Sequence, residues 1–150
     1  MKKTFFSVII LGLLFTTSCH KNNNTAGNWT FEGVSYGVAS TSLTDTALIA
    51  TSSTATNQGS TLTFVFPSMP THSGTYQVVN YTTPLDSTQM YIRFINSTSQ
   101  FFYFSTGNDN VNAKVTVSSS GHVSVTVPPV YLESYSSPIV DSGQLSATIN

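Results

Sequence analysis

The sequence predicts an all-β protein: an antiparallel β-sandwich of the immunoglobulin-like type, with a small lipocalin-like β-barrel as the alternative. Several short segments alternate between apolar and polar residues, and no window has the periodicity of a helix. Turn-forming residues separate these segments. We count roughly nine or ten short strands, a number typical of sandwiches and barrels.

Length and composition predict one domain with a packed core. The chain has 150 residues, of which 39% are hydrophobic and 12% aromatic, and this length fits a single domain. Only 7% are charged, against about 25% in an average soluble protein. Ser, Thr and Asn take the polar positions instead, which is typical of an extracellular β-protein.

The first predicted strands are rich in large apolar residues. Leu43–Thr51 is the weakest of them, and the run from Phe101 to Phe104 is aromatic on both faces. These strands are Trp29–Phe31, Val34–Ala39, Leu43–Thr51, Ser60–Phe66, Gly74–Tyr81, Met90–Ile95 and Phe101–Phe104.

The later strands alternate more cleanly. In each, every second residue is apolar and the residues between are polar, so one face is predicted to be buried and the other wet. The three strands are Ala113–Ser118, His122–Val127 and Leu145–Ile149.

The connections have turn chemistry. Glu32-Gly33 predicts a tight turn, and the segment 107–110 (Gly-Asn-Asp-Asn) and the segment 119–121 (Ser-Ser-Gly) predict hairpins. Pro128-Pro129 is expected to end a strand and to confine it to an edge or a bend.

The first residues predict export. Lys2 and Lys3 precede an apolar run from Phe5 to Phe15, which is too short to span a bilayer as a helix. Thr16-Thr17-Ser18-Cys19 then resembles a lipobox, although Thr16 stands where a typical lipobox has Leu. The expected organisation is a signal peptide over 1–18, a lipidated tether over 19–27 and one β-domain over 28–150.

The lipobox resemblance implies that Cys19 becomes the first residue and carries diacylglycerol and an N-acyl chain such as palmitate. Two or more acyl chains anchor a protein stably, whereas one binds only marginally. The expected location is the cell envelope, at the outer membrane, with the membrane as a partner through Cys19. Ordinary secretion, with Cys19 as a spare thiol, is the alternative.

Three segments of the domain resemble small uncharacterised β-rich lipoproteins of the Bacteroidota. The resemblance lies in Tyr103–Gly107, in Gly121–Val130 and in Asp141–Thr148, with Ser73–Tyr76 fitting the same pattern. It consists of strand and turn residues and carries no catalytic motif. It therefore implies a fold and a lineage and transfers no functional residue.

Charge and cysteine content exclude several function classes. Without residues 1–18 the chain has three basic and six acidic residues, a net charge of −3, and no basic cluster. Nucleic acid is therefore not an expected partner, since binding its phosphates needs clustered Lys and Arg. Cys19 is the single cysteine, so no disulfide can form within the chain.

The sequence contains no recognisable catalytic residues, cofactor motif or metal site. Glu32 and Glu133 are one conceivable pair of glycosidase carboxylates, but sequence alone does not bring them together. The segment 108–112 offers oxygen ligands for Ca²⁺, yet Asp109 is its one carboxylate, and a plain hairpin loop is the better interpretation.

The aromatic residues are the one feature that suggests a ligand. Trp29, Tyr131 and Tyr135 are candidates for a sugar-binding platform or the mouth of a cavity, although filling the core is the commoner use of such residues. We rank three hypotheses: a non-catalytic module that binds a glycan or a protein, a lipocalin-like carrier of an apolar ligand, and a polysaccharide-acting hydrolase.

Overall fold

The computed structural model describes residues 27–53, 56–135 and 141–150. These residues form ten strands and no helix, which confirms the all-β prediction. The strands are β1 (Gly27–Phe31), β2 (Val34–Leu43), β3 (Ala47–Ser52), β4 (Thr61–Val65), β5 (Gly74–Val78), β6 (Gln89–Ile95), β7 (Phe102–Ser105), β8 (Asn112–Val117), β9 (Val123–Ser134) and β10 (Ser142–Ile149).

All ten strands belong to one sheet that curves into a near-closed ring. The strand order is β10-β1-β2-β3-β4-β6-β5-β8-β9-β7, and β9 also pairs with β10 while β6 also pairs with β7. The expected antiparallel pairing holds for every described pair except β5–β6, which is parallel. The sheet is therefore mixed.

The alternation seen in the sequence sets the inside and outside of the ring. Along β6 and β10, buried residues alternate with more exposed ones, so one face of each strand turns inward. The inward side chains form one hydrophobic cluster. Its aromatic members are Trp29, Phe31, Tyr36, Phe64, Phe66, Phe94 and Tyr103.

The inward faces predicted for the later strands are confirmed. Val123, Val125 and Val127 on β9 are buried, and Leu145 and Ile149 on β10 are fully buried. The polar residues between them are more exposed, and the hydroxyl of Ser146 lies 2.8 Å from that of Thr30.

Two boundary predictions are wrong. The predicted strand Leu43–Thr51 is split, because a turn at Thr44–Thr46 separates β2 from β3. Threonine 44 stabilises that turn by accepting a hydrogen bond from the backbone N–H of Ala47 at 3.0 Å.

Pro128-Pro129 does not end a strand, because β9 continues through both prolines to Ser134. The ladder with β8 stops at Thr126, and the ladder with β7 starts only at Leu132. On the other side, the register with β10 shifts at this point. The prolines therefore lie in a bulge where a ladder needs no N–H from them.

The sheet forks between β6 and β9, since β7 bridges these two strands at one end of the ring and β5–β8 bridges them at the other. Ser105 closes the fork with its side chain. Its hydroxyl accepts a hydrogen bond from the N–H of Ile92 at 3.0 Å and donates one to the carbonyl of Val79 at 2.6 Å. All three residues are buried.

Candidate functional site

The structure separates the three aromatic residues that the sequence suggested for ligand binding. The side chain of Trp29 is 1% exposed, and its ring stacks on Tyr36 with centroids 5.2 Å apart. The Trp29 ring is therefore packed in the core and does not form a surface platform. Tyr131 and Tyr135 are each 50% exposed.

Tyr135 belongs to a cluster of three rings on the outer surface. Its centroid lies 4.7 Å from that of Tyr81 and 5.8 Å from that of Phe104, and Tyr81 and Phe104 are 4.5 Å apart. These distances lie within or at the edge of the range in which aromatic pairs attract each other. We call the outward aromatic residues of this end of the ring the aromatic patch: Tyr81, Phe102, Phe104, Tyr131 and Tyr135.

The period of two along β7 and β9 explains how the patch forms. Phe102 and Phe104 alternate with inward Tyr103, and Tyr131 and Tyr135 alternate with inward residues of β9. The N–H of Tyr135 donates to the carbonyl of Phe102 at 3.3 Å, which sets the two exposed rings on neighbouring strands. The signal in the sequence was the run 101–104, aromatic on both faces, which implies an aromatic outer face.

Two charged residues flank the patch. Phe104 lies opposite Arg93 of β6 on one side and opposite Glu133 of β9 on the other. Glu133 also lies between Tyr131 and Tyr135 on the outward face of β9. The patch therefore offers apolar ring faces with a cation and a carboxylate at its sides.

A shallow groove adjoins the patch on the outer face of β1, β9 and β10. It consists of two depressions of about 290 Å³ and about 100 Å³, which share Thr30 and Ser146 as a wall. The larger is lined by Thr30, Glu32, Gly33, Pro129, Gln144 and Ser146. The smaller is lined by Asn28, Trp29, Thr30, Val127, Ser146, Ala147 and Thr148. We call the two together the outer groove.

Tyr131 connects the patch with the groove. It lies directly opposite Gln144 in the β9–β10 ladder, and side chains opposite one another on a sheet face are close neighbours. The carboxylate of Asp109 accepts a hydrogen bond from the N–H of Tyr131 at 2.6 Å. This bond fixes β9 at a position between the β8 and β7 ladders.

Glu32 is held at the end of the groove by its turn. Glu32 and Gly33 have φ angles of 49° and 75°, so both central residues of the β1–β2 turn are left-handed, as in a type I′ hairpin. This confirms the predicted tight turn. Glu32 accepts a hydrogen bond from the N–H of Gln144 through its carboxylate and donates its own N–H to the carbonyl of Gln144 at 3.0 Å.

Gly143 lets the turn approach β10. A Cβ atom at this position would lie 2.3 Å from the ring of Phe31 and 2.7 Å from the Cγ atom of Glu32. Only glycine leaves room for both side chains, so Gly143 helps to place the carboxylate of Glu32 beside Gln144.

The two carboxylates of the glycosidase hypothesis lie on either side of the start of β10. Glu32 bonds to Gln144 from the β1 side, while Glu133 pairs with Ser142 from the β9 side. Two strand spacings of about 4.8 Å and an offset of two residues along β10 put their backbones roughly 12 Å apart. Glu32 is exposed and Glu133 is half-buried on an open face, so no cleft surrounds a bond placed between them.

Other titratable side chains have structural partners. Asp86 accepts hydrogen bonds from the hydroxyl and the N–H of Thr88, and these bonds lower the pKa of the Asp86 carboxyl. Burial and the hydrogen bond to Asp141 raise the pKa of the Tyr103 hydroxyl. Within residues 27–53, 56–135 and 141–150, no group of three His, Cys, Asp or Glu residues is placed to hold a metal ion.

Comparisons with known proteins find no match to this chain among family models, curated proteins or solved structures.

The predicted signal peptide, Cys19 and the tether as far as Ala26 lie outside the described residues. The described part of the chain has no helix long and apolar enough to cross a membrane.

Proposed function

We propose that this protein is a non-catalytic binding module, anchored in the outer membrane by a lipid on Cys19, whose ligand contacts the aromatic patch. The observation that carries this proposal is the exposure of Phe102, Tyr131 and Tyr135, which are 46%, 50% and 50% exposed on one face. Grouped exposed aromatic residues are typical of binding surfaces, because their burial against a partner is strongly favourable.

The position of the patch relative to the tether supports this proposal. The tether joins β1 at Gly27, which pairs with Ile149, and Ile149 in turn pairs with Val125 of β9. Tyr135 lies ten residues further along the β9 chain, roughly 33 Å at 3.3 Å per residue. A lipid on Cys19 would therefore hold the patch at the end of the domain away from the membrane.

The packing of the ring favours binding outside over binding inside. The interior is occupied by side chains in contact with one another, among them Trp29, Tyr36, Phe94 and Tyr103. An apolar ligand inside the ring would have to displace these side chains. Because hydrogen bonds join all ten strands into one sheet, we propose that the fold is a barrel-like ring and not an immunoglobulin-like sandwich. The lipocalin-like carrier is accordingly the weaker candidate.

The carboxylates also favour binding over hydrolysis. A glycosidase acid must keep its proton at neutral pH, which usually requires burial in an apolar pocket. Glu32 is exposed on a two-residue turn and Glu133 lies on the outward face of β9, so neither carboxyl is enclosed by an apolar pocket.

Photo-cross-linking in living cells tests the proposed function. A photoreactive phenylalanine analogue replaces Tyr135 in the full-length chain, expressed in its native host. The matched control carries the analogue at Leu43, which is 52% exposed at the opposite end of β2 from the β1–β2 turn. We expect a discrete cross-linked species from position 135 that is absent from position 43.

Two results would overturn the proposal. One is a failure of position 135 to cross-link when the protein is present at its normal level. The other is the same pattern of cross-links from both positions, which would indicate collisions without a site.

A further inference from the structure

We infer that the outer groove, with the ring of Tyr131 beside it, binds a neutral saccharide chain. This inference rests on the proposed binding function and specifies its ligand and its contact residues. It goes beyond the aromatic patch because the groove supplies the polar groups that a patch of rings lacks.

The shape of the groove fits an extended ligand. The two depressions adjoin at Thr30 and Ser146, whose hydroxyl oxygens are 2.8 Å apart. They follow the β1–β10 pair from Gln144 to Thr148, a distance of roughly 13 Å at 3.3 Å per residue. A short stretch of a linear polymer can lie along this path while its ends continue into solvent.

The polar lining suits a ligand that is rich in hydroxyl groups. Glu32 offers carboxylate oxygens, and the Gln144 amide offers one acceptor and two donor hydrogens. Among the described residues, the Gln144 side chain has no hydrogen-bond partner, since the turn uses only its backbone. The Gln144 amide, with the hydroxyls of Thr30 and Ser146 on the same outer face, can bond to adjacent hydroxyls of a sugar ring.

Tyr131 supplies the apolar face that a sugar ring also needs. Sugar rings have one face of C–H groups, which packs against aromatic rings. Tyr131 lies opposite Gln144 in the ladder, and its backbone is fixed by Asp109. A ring stacked on Tyr131 would have its hydroxyl edge towards the Gln144 amide, so one ligand unit meets both kinds of contact.

Charge selects a neutral saccharide over an anionic one. Glu32 is the one charged residue among those that line the groove, and Asp109 and Glu133 stand beside Tyr131 on and next to β9. Anionic polymers would be repelled by these carboxylates. Neutral sugars accept and donate hydrogen bonds without that penalty.

A glycan array tests this inference with the full-length protein, purified in detergent and labelled with a fluorophore. The array carries neutral gluco-, xylo-, galacto- and mannosaccharides and, for comparison, oligosaccharides of uronic acids. Gln144→Ala and Tyr131→Ala are measured beside Leu43→Ser, a control for loss of an equally exposed apolar side chain. Circular dichroism melting verifies that each variant is folded.

We expect binding to at least one neutral series and none to the uronic acids. Gln144→Ala and Tyr131→Ala should each weaken that binding about tenfold or more, as for a lost contact of about 1.4 kcal/mol. Leu43→Ser should bind as the wild type does.

The inference is overturned if no neutral series binds, if only uronic acids bind, or if the folded Gln144→Ala and Tyr131→Ala variants bind normally. If position 135 still cross-links in cells, such a result rejects a saccharide as the ligand. The proposed binding function then stands, with a protein as the partner. Loss of the cross-link as well would remove the proposed function itself.

Discussion

Ser105 shows how one side chain completes the sheet at the fork. On β6, Ile92 lies between the residues that pair with β5 and those that pair with β7. The hydroxyl of Ser105 therefore accepts the hydrogen bond of the Ile92 N–H that a neighbouring strand would otherwise accept. Because Ser105 also donates to Val79, one hydroxyl satisfies a buried donor and a buried acceptor. Such groups are costly to leave unpaired.

Ser105→Ala should therefore lower the free energy of unfolding by about 1–3 kcal/mol. Urea denaturation measures this value, with Ser99→Ala as the control because Ser99 is exposed in a turn. The control should remain within about 0.5 kcal/mol of the wild type. A Ser105→Ala protein as stable as the control would contradict the role of this hydroxyl.

Tyr103 makes the free energy of unfolding fall at alkaline pH. Burial, together with the hydrogen bond to Asp141, raises the pKa of its hydroxyl in the folded state above the unfolded value of about 10. The folded state therefore favours the neutral phenol. This contribution is fully present below about pH 10 and is lost as the pH rises, because ionisation then favours the unfolded chain.

Tyr103→Phe should weaken this dependence. Urea midpoints measured from about pH 8 to about pH 11 should fall less steeply in Tyr103→Phe than in the wild type. A residual slope is expected from Tyr36, whose pKa burial also raises. Tyr135→Phe, at an exposed site, is the control, and an unchanged slope in Tyr103→Phe would refute the assignment.

At the scale of elements, the β1–β2 turn joins folding to the proposed binding groove. Glu32 has a left-handed backbone, which costs a non-glycine residue roughly 1 kcal/mol. Asn-Gly is a favoured pair for this turn type. Glu32 is therefore less favourable than Asn for the backbone of this turn, but better suited to the proposed groove.

Glu32→Asn should keep the hairpin and weaken saccharide binding. The unfolding free energy should stay within about 1 kcal/mol of the wild type, because relief of backbone strain offsets the lost bond to Gln144. Binding on the glycan array should fall. Unfolding of Glu32→Asn at room temperature would show that the carboxylate is structural, and unchanged binding would remove it from the groove.

Local patterns in the sequence predicted the strands but not their partners. Alternation at Val123–Val127 and Leu145–Ile149 gave the correct inward faces because the period of two is a local property. The parallel β5–β6 pair depends on the path of the ten-residue connection 79–88 between these consecutive strands, which the alternation within each strand does not record. The strand end predicted at Pro128-Pro129 is wrong because these prolines lie where β9 pairs with neither β8 nor β7. That gap depends on how the strands assemble and not on the local sequence.

The candidate site was predictable only in part, for the same reason. Tyr131 and Tyr135 were named from their residue type, and both lie on the surface. Trp29 was named on the same grounds and lies in the core, because aromatic character alone does not distinguish the two faces of a strand. Gln144 was not singled out, since its position depends on the β9–β10 register.

At the scale of the whole molecule, the proposed anchor and the proposed binding site lie at different ends of the ring. The tether enters at Gly27, beside the ends of β10 and the start of β9, while the patch and the larger depression lie near Glu32 and Tyr135. A lipid anchor at one end would leave the other end free for a ligand. The interior supplies stability, and recognition is proposed for the outward face.

The proposed lipid anchor on Cys19 gives a direct prediction. Full-length protein expressed in cells supplied with alkyne-palmitate should carry the label and sediment with membranes. Cys19→Ser should lose both properties, because no other cysteine can accept the lipid. Ser18→Ala, which keeps a small residue before the cysteine, should behave as the wild type, and a membrane-bound Cys19→Ser protein would refute the anchor.

The central claim, that the aromatic patch serves binding while the interior serves folding, is tested most directly by measuring stability and cross-linking on the same variants. The photoreactive residue stands at Phe102, and Tyr135→Ser is compared with Leu43→Ser. We predict that both variants melt within a few degrees of the wild type, since exposed substitutions change stability little, and that only Tyr135→Ser loses the cross-link. An intact cross-link in Tyr135→Ser, or equal loss in Leu43→Ser, would contradict the claim.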